Sequence, residues 1–116
     1  MDAERAVVDW INAADLGWKA YYDVPAKRPD AFAVVERTGG AFESLVIERP
    51  MVDVQCWAKK RRDAALMAED VKSALIDMAL NHPSFFHANI TSTYRDRDMD
   101  TGTPRYHVVC ELTLNE

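Results

Sequence analysis

Residues 49–80 read Arg-Pro-Met-Val-Asp-Val-Gln-Cys-Trp-Ala-Lys-Lys-Arg-Arg-Asp-Ala-Ala-Leu-Met-Ala-Glu-Asp-Val-Lys-Ser-Ala-Leu-Ile-Asp-Met-Ala-Leu. The stretch changes period half-way. From Met51 onward apolar and polar residues alternate: Val52, Val54 and Cys56 share one side, Asp53 and Gln55 the other. That is the pattern of a strand with one buried face. After Lys59 the spacing becomes helical. Ala64, Ala68, Val71, Leu75 and Met78 form one stripe, and Lys60, Asp63, Asp70 and Asp77 lie mostly off it. A strand that feeds directly into a long amphipathic helix supplies both layers of a two-layer core. No catalytic motif lies on this unit.

Downstream, the residue before Pro83 is driven out of the α region, so the helix should end near Asn81-His82. A strand is expected over Asn89–Arg95. Asp96–Pro104 then forms a loop. In the last strand Tyr106, Val108, Cys110, Leu112 and Leu114 share one side, while His107, Val109, Glu111 and Thr113 share the other. These two strands read as a hairpin, with His107 an ordinary surface or interface residue.

Upstream, Asp2 is placed to cap a helix carrying Ala3, Ala6, Val7, Trp10, Ile11 and Ala14, running to about Asp15 and ended by Gly17. Trp18–Val24 is strand-like in composition and is stopped by Pro25. Ala31–Arg37 has apolar residues on both sides, as a central strand does. Thr38-Gly39-Gly40 reads as a turn. Ala41–Glu48 is too apolar for an ordinary loop and reads as a hairpin arm, broken off by Arg49-Pro50 before the strand at Met51. The expected fold class is α+β: a largely antiparallel β-sheet with two α-helices packed on one face, residues 1–116 forming a single domain.

The chain has 116 residues, 48% of them hydrophobic, which is enough for one real core. Its net charge of −5 disfavours a general nucleic-acid binder, which needs clustered cations against phosphate. The basic cluster is Lys59-Lys60-Arg61-Arg62, and it stands at a helix start, where cations oppose the macrodipole. Cys56 and Cys110 both fall on apolar strand faces and read as reduced, intracellular thiols. No apolar run approaches the ~20 residues of a membrane span.

Four places in the sequence could carry chemistry. Asp96, Asp98 and Asp100 alternate as calcium ligands do, but the EF-hand pattern needs Gly where Thr101 stands and Glu where His107 stands. His82, His87 and His107 have no zinc-ligand spacing. Ser44, Ser73, Ser84 and Ser92 sit in no nucleophile elbow, and Gly39-Gly40 lacks the surroundings of a phosphate loop. The expectation is therefore no catalytic residue, no cofactor and no metal. Trp10, Trp18 and Trp57 suit either a core or an interface.

Three stretches together resemble a known family. They are Asp23-Val24-Pro25 with Arg28-Pro29, Phe32 and Val35–Gly40; Arg49-Pro50 with Val52, Val54-Gln55, Trp57-Ala58 and the Ala-rich helix; and Tyr94, Asp98, Asp100-Thr101-Gly102 and Pro104-Arg105-Tyr106. In this order they are similar to the small tail-terminator, or tail-completion, proteins of long-tailed phages and prophages. The resemblance implies a non-enzymatic virion protein, present in the host cytoplasm during assembly. It implies a ring homo-oligomer, a hexamer, that caps the tail tube protein and joins it to the head connector protein. DNA would pass through the channel without specific binding, as an acidic wall repels phosphate, and no membrane is involved. On this reading Phe42, Leu45, Val46, Ile47 and Arg49 form an assembly interface, and Asp96, Asp98 and Asp100 an acidic loop facing the lumen or a partner. The alternatives are another head–tail connector subunit, a small enzyme, or a nucleic-acid-associated module using Lys59–Arg62.

Overall fold

The alternating stretch around Val52 becomes the middle of the sheet. In a computed structural model that describes residues 1–115, the elements run α1 (Ala3–Ala13), β1 (Lys19–Tyr21), β2 (Ala31–Phe42), β3 (Ile47–Ala58), α2 (Arg61–Asn81), β4 (Phe85–Arg95) and β5 (Arg105–Asn115). The five strands form one mixed sheet in the order β1-β2-β3-β5-β4. β1 runs parallel to β2, and every other pair is antiparallel. This is an α+β fold with both helices on one face of the sheet.

The core follows from period. Ala33 and Val35 of β2, Val52, Val54 and Cys56 of β3, and Val108, Cys110, Leu112 and Leu114 of β5 are all buried on the helix side. From α2 they meet Ala64, Met67, Ala68, Val71, Ala74, Leu75 and Met78; from α1, Ala3, Val7, Val8 and Ile11. Each helix thus buries one stripe at the spacing its sequence announces. The Asp2 carboxylate accepts the Arg5 N–H at 3.1 Å and caps α1 as expected. α1 ends at Ala13, and the chain leaves it through left-handed conformations at Asp15 (φ 53°) and Gly17 (φ 91°). α2 stops at Asn81, with His82 extended before Pro83.

Four expected boundaries move. Thr38-Gly39-Gly40 is no turn: Gly39 and Gly40 lie within β2, opposite Met51 and Pro50, and the ladder shifts by one residue at Thr38. Nor does Arg49-Pro50 end the segment before it, since β3 begins at Ile47 and runs through both. The β3–β5 ladder has no pairs at Arg49 and Pro50 yet keeps the same register on either side, so the missing Pro50 N–H falls where no bond is asked of it. β4 starts at Phe85, not Asn89. The first strand contracts to Lys19–Tyr21; there the Asn12 side-chain amide bonds both the N–H (2.8 Å) and the C=O (3.2 Å) of Ala20.

Cys56 lies opposite Tyr106 and Cys110 opposite Val52, on neighbouring strands and the same face. Four residues of offset place them about 13 Å apart, too far for a disulfide. Burial pushes the Cys110 thiol up to about 12 and raises that of Cys56, where the Asp53 charge adds to the effect. Both should stay protonated and shielded at pH 8. Iodoacetamide is expected to label neither in the native protein and both in urea; rapid native labelling would mean that the core opens.

Candidate assembly surface

β2 and β3 outrun the helices and carry a four-residue turn, Glu43-Ser44-Leu45-Val46, beyond them. The turn is braced from within. Glu43 and Ser44 N–H both donate to Ile47 O at 3.1 Å, and Ser44 Oγ accepts from the N–H of Val46 (3.3 Å) and Ile47 (3.1 Å). Arg49 Nε bonds Glu43 Oε2 at 3.1 Å, and its Nη1 reaches Thr113 Oγ1 at 3.4 Å. Arg37 pairs with Glu48 at 3.0 Å behind them. With its polar groups occupied in this way, the tip turns its apolar side chains outward: Phe42 is 65% exposed, Leu45 87% and Val46 54%. Ile47 and Arg49 are half-buried and belong to the base of the arm.

The arm is stiff where its glycines suggest a hinge. Gly40 has φ +110°, and a Cβ there would meet Arg49 O, Pro50 Cα at 2.6 Å and Met51 N at 2.7 Å. The two strands clasp backbone to backbone at this point.

The β4–β5 loop lies at the other end of the sheet, beside Trp57 and Ala58. Asp98 folds it: its Oδ2 accepts from Thr101 Oγ1 (2.6 Å) and Thr101 N (3.2 Å), and its backbone bonds Gly102 and Thr103. These Thr101 bonds hold its carboxyl below the usual range. Asp96 Oδ2 takes Arg105 Nη2 at 2.8 Å and His107 Nε2 at 3.0 Å. The Arg105 hydrogen bond and charge, with His107 behind them, hold Asp96 low as well. Two of the three expected acids are therefore occupied inside the loop. Asp100 is exposed, as are Arg97, Met99, Thr101 and Gly102 around it.

His107 is not a surface residue. It is 6% exposed, with Nδ1 at 2.8 and 3.0 Å from the Asp53 carboxylate, Nε2 on Asp96, and Tyr94 stacked flat on its ring at 4.7 Å. Both ring nitrogens are thus held by carboxylates of the protein itself. It ties the loop to the middle of the sheet instead. Beside it Trp57 is buried on the helix-free face, stacked on Phe32 at 5.3 Å and flanked by the guanidinium groups of Arg28 (5.2 Å) and Arg105 (4.9 Å). Trp57 is thus core, whereas Trp10 and Trp18 stay half-buried beside surface grooves.

Arm and loop sit at opposite ends of β2 and β3, about 36 Å apart at the rise of an extended strand, in a molecule whose longest dimension is 42 Å. Among the described residues no group of three or more His, Cys, Asp or Glu side chains is arranged to hold a metal, and no helix is long and apolar enough to cross a membrane. Lys59–Arg62 are all exposed; Lys60 is the N-cap of α2 without a side-chain cap bond, and Lys59 pairs with Asp30 at 3.2 Å. Comparison with models of known protein families gave no match to the chain, and comparison with curated proteins gave none.

Proposed function

We propose that this protein is a ring-forming tail-terminator, or tail-completion, subunit of a long-tailed phage or prophage, a structural part of the virion that caps the tail tube and joins it to the head connector. The observation that carries the proposal is the separation of two unlike contact ends on one rigid sheet. A braced apolar arm stands at one end and a compact, acid-rich loop at the other. A subunit inserted between two partners needs such ends and needs no active site. The sequence resemblance points the same way. The groups with displaced proton affinities (Cys56, Tyr94, Asp96, Asp98 and Cys110) lie outside the surface grooves, which weighs against the enzyme reading. The four cations at the start of α2 are interleaved with no exposed aromatic run, which weighs against the nucleic-acid module.

Light scattering on size-exclusion fractions at rising concentration is the first test, and ring-sized particles are the expected result. The second removes the protein from a phage-producing cell. A tail terminator's loss should give tails of uncontrolled length. Tails of normal length that fail to join heads would indicate the other connector position. Normal infectious particles would end both readings.

A further inference from the structure

The sheet has two edges, and they are finished differently. At the β1 edge, side chains from α1 stand in for a missing strand. The Asn12 amide takes both main-chain groups of Ala20, and the Glu4 carboxylate accepts the Arg37 N–H at 2.7 Å beyond the end of β1. β1 itself is only three residues long. Such devices keep an edge from pairing with another chain. β4, the opposite edge, runs for eleven residues and pairs with β5 alone. The Asp96 N–H donates to Arg105 O at 2.9 Å, so by alternation the main-chain groups of Thr93 and Arg95 point away from β5. Ala88 and Ile90, whose side chains share the helix face with Thr93, point theirs the same way. Among the described residues no side chain takes these groups. Residues 85–94 hold no Asp, Glu, Lys, Arg or Pro, and residues 91–95 are all exposed.

We infer that β4 of one copy pairs with β4 of a second copy, antiparallel about a two-fold axis, so that two sheets run on as one. The contact uses neither the arm nor the acidic loop and does not rest on the ring reading. Three observations choose this occupant. The open groups are main-chain N–H and C=O at strand spacing, which another extended strand matches group for group. The β1 edge of a second copy is already closed by Asn12 and Glu4, so head-to-tail pairing is blocked and β4 is the edge a second copy offers. The third is the pattern of the strand itself. The ladder with β5 shifts at Thr91, and this extra residue makes the faces of β4 read alike in both directions. His87, Asn89, Ser92 and Tyr94 lie on the helix-free side, and Ala88 and Thr93 on the helix side. With the axis between Ile90 and Thr91, Ala88 meets Thr93 of the other copy, Asn89 meets Ser92 and His87 meets Tyr94, each pair on one face. Ala88 and Thr93 then exchange main-chain bonds twice over. Parallel pairing would set the two Arg95 side by side, a like-charge contact. The antiparallel register sets each beside the exposed Phe86 of the other copy instead. A contact of this kind is isologous and closes at two copies.

The test uses cysteine variants of the full chain, whose own Cys56 and Cys110 are buried. Asn89→Cys and Ser92→Cys are mixed under mild oxidation. In this register the two positions face each other with about 4.5 Å between Cα atoms, within disulfide reach, and a covalent dimer is expected. His87→Cys alone is the control: it stands about 24 Å from its own copy and should remain unlinked. Thr93→Pro removes an outward N–H without touching the ladder to β5. By light scattering it should halve the mass of the wild-type species, with a thermal melt to confirm the fold. Should it fail to fold, Thr93→Lys, a charge on the edge, replaces it. No disulfide in the mixture, equal linkage of His87→Cys, or an edge variant that assembles like wild type overturns the β4 pairing while leaving the ring reading intact. Wild type that forms dimers and nothing larger upholds the pairing and ends the ring reading. Wild type that stays monomeric at every concentration overturns both.

Discussion

Gly40→Ala is expected to lower the stability of the protein by about 3 kcal/mol or more. Two costs add. A φ of +110° strains any residue with a Cβ, by about 1–3 kcal/mol. The new methyl would also press on Arg49 O, Pro50 Cα and Met51 N, all main-chain atoms with no flexible end to yield. The strands must move apart there, and the cross-strand bonds toward the tip go with them. At roughly 4–8 °C per kcal/mol for a domain near this size, the melting temperature should fall by more than about 10 °C. Gly39→Ala is the control. Its φ is also positive, but a Cβ there meets nothing within 4 Å, so the loss should be nearer ~1 kcal/mol. Equal, small losses at both positions would show that the clasp at Gly40 is not a real constraint.

The second large effect is expected at His107. His107→Ala leaves the Asp53 carboxylate, which is 12% exposed, without its partner at 2.8 Å. Breaking a buried pair from one side costs more than the pair contributes, because the remaining charge keeps its desolvation penalty; about 3 kcal/mol is the expected scale. Removing both partners leaves nothing unpaired. The double replacement Asp53→Val with His107→Val should therefore recover most of the loss, even though Asp96 keeps only Arg105. Urea melts of the two variants and wild type give the comparison. If His107→Ala is as stable as wild type, water reaches Asp53 and the buried tie does not exist.

Both effects bear on what could be read from the chain alone. The α2 stripe from Ala64 to Met78 and the β3 side of Val52, Val54 and Cys56 were legible because each is set by local period, and the α+β class followed. Gly39-Gly40 and Pro50 read as chain breaks in the sequence because each is locally a breaker. They become compatible with a ladder only by facing each other: Gly40, with no side chain, receives the backbone at Pro50. That compensation is visible only once the strands are paired. In the sequence His107 reads as a surface or interface residue because its partners come from elsewhere, Asp53 from 54 residues away and Asp96 from 11. A signal did exist, since a charged residue at Asp53 between two buried valines of a central strand demands a partner. Of the apolar arm residues conspicuous in the sequence, Phe42, Leu45 and Val46 stand exposed and Ile47 is half-buried at the base. Asp96 and Asp98 drew notice for their spacing, though their side chains are engaged within the loop.

The order of the strands also bears on how the chain folds. β2 with β3 and β4 with β5 are hairpins, each able to form from neighbouring sequence. The seam between them pairs β3 with β5 and brings Val52 opposite Cys110, roughly sixty residues further along. Closing that seam carries the largest loop entropy in the sheet, and α2, which spans much of the gap, is what shortens the search. Until the seam zips, the arm and the acidic loop belong to two separate hairpins. Only afterwards are they opposite ends of one body, so their fixed separation exists only once folding is complete.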